Sequence, residues 1–445
     1  MHAQGLTRRG WALAIALQIV PVSFAQNGAG GAHWVATWAT AQQQPGFGFG
    51  RGGPGGRGAA GQPAGAPGQQ PQQTPAPAPA AATPAAGTLN NQTARMIIRT
   101  SIGGDRVRVQ FSNAFGTAPL DMGAAHVALR GKDSAIVPGS DRPLLFNGKA
   151  SARVLPGAVL LSDPVDLVVP KLADLAISVY VPGNSGVASQ HSQALHTTYI
   201  SKEGDTTGQS EMTDATTTRA WYWISSVDVL APADAASIVA FGDSITDGTT
   251  STVDANRSWP SLLSERLVAN PATANLSVLN MGIAGNQVLG DGAGVAALAR
   301  FDRDVLSQAG VKWLMILEGI NDMNLAGRGG NAPGRALTAD DLIGGMQQMI
   351  ERAHTHGIKV IGCTLTPFGG ASDAVENMRQ ALNLFIRTGG AFDAVVDWDK
   401  VIRDPNDPRQ FIKEYNNTDR LHPNDAGYKA MADAVDLSIF APKTR

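Results

Sequence analysis

Apolar positions between residues 89 and 232 recur in short stretches, some alternating with polar residues and some continuous. Turn-forming residues separate these stretches, as at Gly103-Gly104-Asp105. This length and period are typical of strands, and no stretch has the pattern of a long amphipathic helix. The pattern predicts a β-sandwich over residues 89–232. The clearest predicted strands are Ala94–Ser101, Arg106–Phe111, Val159–Leu161 and Leu175–Val181.

The pattern changes after about residue 233, where apolar strands alternate with amphipathic helices up to residue 445. Such alternation is typical of a doubly wound, flavodoxin-like α/β fold with a parallel five-stranded sheet. The predicted strands are Ser237–Phe241, Leu276–Asn280, Lys312–Leu317, Lys359–Leu365 and Ala394–Trp398. The predicted helices include Trp259–Val268 after Ser258, Asp340–His356 between Thr338 and Gly357, and Asp425–Val435.

The N-terminal part divides into three segments. Residues 1–25 contain Arg8 and Arg9, then an apolar stretch, then a small-x-small site at Ser23 and Ala25. This pattern predicts a signal peptide that is cleaved near Ala25, which implies export to the periplasm or the cell exterior. The export route, Sec or twin-arginine, stays open. A first strand is predicted within residues 26–42, at HWVATWATA. Residues 43–88 are rich in Gly, Pro and Gln, and this composition predicts a disordered segment. Such a segment is more typical of a passive tether than of a wall-binding element.

Composition excludes several classes of protein. The 445 residues carry a net charge of −2, without the basic surface that a nucleic-acid partner requires. No stretch after residue 25 approaches the length of a membrane span, so the mature chain is expected to lack an integral membrane segment. Cys363 is the only cysteine, which excludes an internal disulfide, and its apolar neighbours predict a packing role in a buried strand.

Three motifs with chemical potential follow predicted strands of the α/β region. GDSITDG contains Ser244, NMGIAGN contains Gly285, and EGIND contains Asn321. The carboxyl ends of parallel strands meet at one edge of the sheet, where ligands bind. A serine at a strand-to-helix turn presents its hydroxyl there, a glycine lets a backbone N–H approach a ligand, and an asparagine supplies an amide donor. Each motif alone is equally typical of a turn, a helix cap or a buried loop.

A fourth motif, DRLHP, lies near the C-terminus and contains Asp419 and His422. A carboxylate three residues before a histidine can accept the Nδ1–H of the ring and leave Nε2 free as a base. Such a pair at a helix start is common by itself. All four motifs occur at strand or helix ends in one chain, and together they favour a catalytic site.

These motifs resemble those of the GDSL/SGNH hydrolase superfamily over residues 236–435. The resemblance implies an SGNH-type fold, a catalytic triad of Ser244, Asp419 and His422, and an oxyanion hole formed by Ser244, Gly285 and Asn321. It implies a serine esterase that needs no metal and no cofactor. WVATWAT and RTSIGGDRVRVQFSNAFG resemble the β-sandwich that precedes this domain in a bacterial secreted branch, which is acetylxylan-esterase-like and described as acting on plant polysaccharides.

The sequence leaves the ester open. The first hypothesis is an esterase for short acyl groups, acetyl first, on a small-molecule or polysaccharide substrate. A lipid-ester hydrolase of the lysophospholipase or lipase kind is the second, and a catalytically silent surface-binding protein is the third. Trp34, Trp38, Trp221 and Trp223 are candidates for sugar stacking, although tryptophans on strands more often pack in a core.

Overall fold

The computed structural model describes residues 31–44, 87–327 and 336–441. The predicted signal peptide and most of the predicted disordered segment, residues 45–86, lie outside these ranges. None of the helices in the described ranges is long and apolar enough to cross a membrane.

Residues 33–231, here called the antiparallel region, contain strands and no helix in their described parts. The strands are β1 His33–Ala39, β2 Asn90–Arg99, β3 Gly104–Ser112, β4 Leu120–Met122, β5 Ala124–Leu129, β6 Arg142–Pro143, β7 Ala152–Val154, β8 Val159–Leu161, β9 Val165–Val169, β10 Asp174–Asn184, β11 Gln190–His191, β12 Thr198–Ile200, β13 Thr216–Thr218, β14 Trp221–Tyr222 and β15 Ile224–Ala231. One sheet has the order β1-β15-β3-β8, with β9 also on β3, and a second has the order β13-β12-β2-β10-β5-β6.

Both sheets contribute to one hydrophobic core. Alternate residues of β2 point into it, as Met96 and Ile98 do, because successive side chains of a strand face opposite sides. Trp38, Trp221 and Trp223 belong to the same core and are at most 8% exposed. These three therefore pack and have no free face for a sugar ring. Trp34 is half-buried, and the Arg108 guanidinium lies 4.4 Å from its ring centroid.

The α/β domain, residues 236–441, alternates strands and helices. Its elements are β16 Ala236–Gly242, α1 Ser244–Asp247, α2 Trp259–Ala269, β17 Leu276–Gly282, α3 Ala297–Phe301, β18 Val311–Leu317, α4 Ile320–Gly327, α5 Ala339–Thr355, β19 Lys359–Cys363, α6 Asp373–Thr388, β20 Ala394–Val396, α7 Trp398–Ile402 and α8 Asp425–Asp433. A π-helical turn, Asp302–Leu306, follows α3.

The five strands of this domain form a parallel sheet in the order β17-β16-β18-β19-β20. The chain starts near one edge and reverses direction across the sheet between β17 and β18, which confirms the predicted doubly wound fold. The carboxyl ends of β16, β17 and β18 are adjacent, so the three predicted strand-end motifs meet at one place.

Two strands of the α/β domain end earlier than the sequence pattern predicts, and in the antiparallel region β2 ends at Arg99 and not at Ser101. β19 ends at Cys363 and not at Leu365, and β20 ends at Val396 and not at Trp398. The Asp397 side chain accepts a hydrogen bond from the Lys400 N–H and starts α7, which stops β20. Cys363 is 1% exposed, and burial raises the pKa of its thiol, so its predicted packing role is confirmed.

Strand β1 joins the two parts of the chain. Its Val35 points into the core of the antiparallel region, whereas Ala36 points into the core of the α/β domain. The Ala36 carbonyl accepts a hydrogen bond of 2.6 Å from the Ser277 hydroxyl on β17. Ser101 also bonds to both the N–H and the carbonyl of Val278. The antiparallel region thus supplies hydrogen-bond partners to the backbone of Val278 on the edge strand β17.

Candidate active site

Ser244 is the first residue of α1 and follows directly on β16. The turn between them is closely packed: a Cβ on Gly242 would lie 2.4 Å from the Leu317 carbonyl oxygen, so only glycine fits there. Asp243 caps α1, and its side chain accepts a hydrogen bond from the Ile245 N–H. The Ser244 residue is 7% exposed. The strand-to-helix turn that the sequence predicts is therefore present.

The structure brings Ser244, His422 and Asp419 into one hydrogen-bonded chain. The Ser244 Oγ lies 2.8 Å from His422 Nε2, and His422 Nδ1 lies 2.6 Å from an Asp419 carboxylate oxygen. The other carboxylate oxygen of Asp419 accepts the backbone N–H groups of Leu421 and His422. These bonds fix the imidazole with Nδ1 protonated and leave Nε2 to accept the serine proton.

The charge of Asp419 suits this arrangement. Burial opposes its ionisation, but hydrogen bonds from the His422 backbone and ring and from the Leu421 N–H outweigh burial and lower the pKa of Asp419 below its usual value. The carboxylate is ionised at neutral pH. An ionised carboxylate on Nδ1 stabilises the imidazolium that forms when Nε2 takes up a proton.

Gly285 and Asn321 are the predicted oxyanion-hole donors. Gly285 has φ = 81°, a left-handed conformation that favours glycine. Its N–H has no acceptor within the described residues. One amide hydrogen of Asn321 donates to the Asn286 carbonyl at 2.9 Å, and the second has no acceptor in the same part of the chain. Both groups are buried and keep a donor free for a ligand.

Asp322 ties the segments of these two donors together. Its carboxylate oxygens accept the N–H groups of Val288, at 2.9 Å, and Leu289, at 3.1 Å. Asp322 lies at the start of α4 beside Asn321, and Val288 follows Gly285 by three residues. The separation between the two donors is therefore held by side-chain bonds and by the Asn321–Asn286 bond.

Arg300 lies fully buried behind the same loops. It donates to the Gly242 carbonyl at 3.0 Å, the Met281 carbonyl at 2.8 Å and the Asn286 Oδ1 at 2.8 Å. Its charge is paired with Asp304, at 3.1 Å. One guanidinium thus connects the residues that precede Ser244 with those on both sides of Gly285, which suits its planar array of donors.

Burial also perturbs the pKa values of the carboxyl groups near Ser244 and Asn321. It raises the pKa of Asp243 to about 7 and that of Asp322 to about 6, and it raises the pKa of Glu318 well above its usual value. Glu318 lies 3.6 Å from the Arg300 guanidinium. The raised values keep part of this cluster uncharged near neutral pH, which limits negative charge close to the free donors.

The sequence interpretation did not identify Arg300, Asp322 or Asn286. Arg300 does leave one signal in the sequence, because it is the single arginine in the otherwise apolar stretch VAALARF. A charged side chain in such a stretch is expected to be buried and paired. Asp322 is part of the recognised EGIND motif, and its contacts follow only from the three-dimensional arrangement of the loops.

The described residues contain no group of three or more histidine, cysteine, aspartate or glutamate side chains able to hold a metal ion. His354, from the only close histidine pair in the sequence, contacts Asp393 at 2.8 Å at the end of α5. His354 is exposed and is bonded to a partly exposed carboxylate.

Comparisons with known proteins identify the α/β domain. Residues 238–435 match the sequence profile of the GDSL-like Lipase/Acylhydrolase family. No curated protein matches the chain. A solved acetyl xylan esterase variant from Geobacillus stearothermophilus is 20% identical, covers 48% of this chain and 99% of its own, and has a TM-score of 0.37. A solved GDSL-like lipase from Bacteroides thetaiotaomicron is 22% identical, covers 46% of this chain and 87% of its own, and has a TM-score of 0.34. Residues 238–435 therefore form a GDSL-like lipase/acylhydrolase domain, and the activity that goes with this domain is that of a carboxylic ester hydrolase.

Proposed function

We propose that this hydrolase is an exported serine esterase that removes short acyl groups, acetyl first, from carbohydrate hydroxyls through an acyl-Ser244 intermediate. The observation that carries the proposal is the unbroken chain from Asp419 through His422 to the Ser244 hydroxyl, with contacts of 2.6 and 2.8 Å. Export rests on the pattern of residues 1–25, in which a basic start precedes an apolar stretch and a small-x-small site.

Acylation begins when the Ser244 Oγ attacks the ester carbonyl carbon and its proton passes to His422 Nε2. The carbonyl oxygen becomes an oxyanion that accepts the N–H groups of Ser244 and Gly285 and the Asn321 amide. Collapse of this intermediate breaks the bond to the alcohol oxygen, which takes the proton from His422. The product of this half-reaction is the alcohol and acyl-Ser244.

Deacylation repeats the sequence with water. His422 Nε2 takes a proton from the water as its oxygen attacks the acyl carbon. The second tetrahedral intermediate collapses with cleavage of the bond to the Ser244 Oγ, which recovers its proton from His422. The acid leaves, and Asp419 holds the same imidazole tautomer throughout both halves.

The segments next to the catalytic motifs support a hydroxylated substrate. Residues 249–253, TTSTV, follow α1 and are half-buried or exposed except for Ser251. Residues 290–294, GDGAG, follow the Gly285 segment and are also small and polar. Residues 326–330, AGRGG, have the same character in sequence, but their side chains lie outside the described part. Small polar residues in the segments that flank the site suit an open cleft that admits a sugar.

Two exposed leucines favour the second candidate, a lipid-ester hydrolase. Leu289, 38% exposed, follows Gly285 by four residues, and Leu325, 39% exposed, follows Asn321 by four residues. Each sits in a segment that carries one of the free donors. Exposed apolar groups near a catalytic site provide surface for an acyl chain.

An acyl-chain series distinguishes the two candidates. With p-nitrophenyl esters from acetyl to octanoyl, we expect kcat/KM to fall steeply beyond butyryl, because the small polar residues that flank the site give a longer chain little apolar surface to bury. We also expect acetate release from acetylated xylan, measured by chromatography. The Ser244→Ala protein serves as the blank for both assays. Preference for octanoyl esters, with acetylated glycans untouched, replaces the carbohydrate proposal with the lipid-ester one.

A further inference from the structure

Asp247, the last residue of the nucleophile helix α1, is bonded on three sides. One carboxylate oxygen accepts the Ala284 N–H at 3.0 Å, and the Asp247 carbonyl accepts the Asn280 amide at 3.2 Å. The other carboxylate oxygen lies 3.0 Å from His191 Nε2. Asp247 therefore links α1, which begins at Ser244, to the residue directly before Gly285.

The contact between α1 and this turn leaves no room for a side chain at Gly282. A Cβ placed on Gly282 would lie 2.1 Å from the Asp247 backbone nitrogen. The turn from Gly282 to Gly285 and the end of α1 are thus packed backbone against backbone. A change in the position of the Asp247 carboxylate shifts Ala284, and with it the N–H of Gly285.

His191 belongs to β11 of the antiparallel region, and its side chain is 2% exposed. Its Nδ1 lies 2.9 Å from the Ala41 carbonyl, which can only accept, so Nδ1 carries a hydrogen. Its Nε2 lies 3.0 Å from an Asp247 carboxylate oxygen and donates to it when the carboxylate is ionised. An imidazole that donates from both nitrogens is the charged imidazolium.

The electrostatics agree with this geometry. Burial by itself lowers the pKa of His191, but the Asp247 carboxylate, its hydrogen bond and the Ala41 carbonyl outweigh burial, so that the pKa of His191 is raised. The Trp221 ring lies beside the imidazole, with centroids 5.7 Å apart, and Trp38 packs edge-on against Trp221. The histidine is thus buried beside aromatic rings, and its raised pKa favours a buried ion pair with the Asp247 carboxylate.

We propose that His191 is a positioning residue for ester hydrolysis: through Asp247 it fixes the Gly285 N–H relative to the Ser244 N–H and neutralises the carboxylate beside them. The antiparallel region is then an integral part of the catalytic unit, and its contribution is a cation placed behind the oxyanion site. This inference rests on the proposed oxyanion role of Ser244 and Gly285.

Loss of the His191 charge has a kinetic consequence that loss of packing alone lacks. Without the imidazolium, a buried carboxylate remains bonded to Ala284 next to the donors. Its negative charge opposes the oxyanion, which exists in the transition state and not in the bound ester. Loss of His191 is therefore expected to lower kcat, with little change in KM.

The test compares His191→Gln with His196→Gln in the full chain. His196 is the matched control because it is also buried in the antiparallel region and stacks on Trp221, with centroids 5.8 Å apart, but does not contact Asp247. We expect His191→Gln to lower kcat about 10- to 100-fold, less than the loss of a whole oxyanion donor, while KM changes less than about threefold. The folded His196→Gln protein is expected to keep wild-type kcat.

A double variant, His191→Gln with Asp247→Asn, removes the uncompensated charge and keeps an oxygen that accepts the Ala284 N–H. We expect it to recover about tenfold or more of the kcat lost by His191→Gln, since the electrostatic opposition is gone. It also provides a folded protein for comparison if the single variant is unstable. Wild-type kcat in folded His191→Gln, equal losses in the His196→Gln control, or a double variant no better than the single one overturn the proposal. Activity retained by Ser244→Ala would instead contradict the proposed function itself.

Discussion

Ser244→Ala and His422→Ala are each expected to reduce ester hydrolysis by roughly 10⁴-fold or more, with the fold intact. The serine variant has no Oγ to attack the carbonyl carbon. The histidine variant keeps the hydroxyl but loses the acceptor that lies 2.8 Å from it. Because the two groups act on the same proton, the double variant is expected to be little worse than either single variant.

The control for this prediction is Ser261→Ala. Ser261 lies on α2, and its hydroxyl contacts only the Ser258 hydroxyl among the described residues, at 3.0 Å. Its removal is expected to leave kcat/KM within about twofold of wild type, because surface changes away from a site have small effects. Circular dichroism and melting temperature establish that each variant is folded. More than about a tenth of wild-type activity in folded Ser244→Ala contradicts the assignment.

Asn321→Ala is expected to lower kcat by roughly 10²–10³-fold with a modest change in KM, because in the proposed mechanism its amide donates chiefly to the oxyanion. In the free protein one amide hydrogen is occupied by the Asn286 carbonyl, at 2.9 Å, and the other is available to the ligand. Asn321→Asp keeps the size of the side chain but removes both donors and adds a negative charge. We expect its loss of kcat to be at least as large.

Asn324→Ala is the matched control for Asn321. It changes the same residue type one turn further along α4, where the side chain is half-buried. We expect its kcat to stay close to that of wild type. A loss confined to KM in Asn321→Ala would make Asn321 a residue that binds the substrate and not a donor to the oxyanion.

The sequence predicted the parts of the fold that depend on local pattern. The five parallel strands are visible as short apolar stretches, and the helix that begins after Thr338 is visible from its periodic apolar residues and its N-terminal cap. Their existence therefore follows from residues close together in the chain. The motifs of Ser244, Gly285 and Asn321 follow consecutive strands. The rule that parallel strands end at one edge was therefore enough to predict that they meet.

Beyond the recognised motifs, the sequence did not predict which distant segments contact one another. His33 on β1 pairs with Ala231 on β15, and Thr40 forms a bridge with Asn280 of the α/β domain. Such pairings depend on which surfaces the folded chain brings together, and they leave no periodic signal in either segment. The His191–Asp247 pair is of this kind, because neither neighbourhood identifies its partner.

The most direct test of the account is to find which residue becomes covalently modified in the active protein. The wild-type chain is treated with a fluorophosphonate, and its peptides are mapped by mass spectrometry in parallel with Ser244→Ala and Ser261→Ala. We predict a single adduct on Ser244, loss of hydrolysis in proportion to labelling, no adduct in Ser244→Ala and normal labelling in Ser261→Ala. An adduct on another residue that inactivates the enzyme, or full hydrolysis by a protein whose Ser244 is completely labelled, contradicts the central claim that Ser244 is the nucleophile.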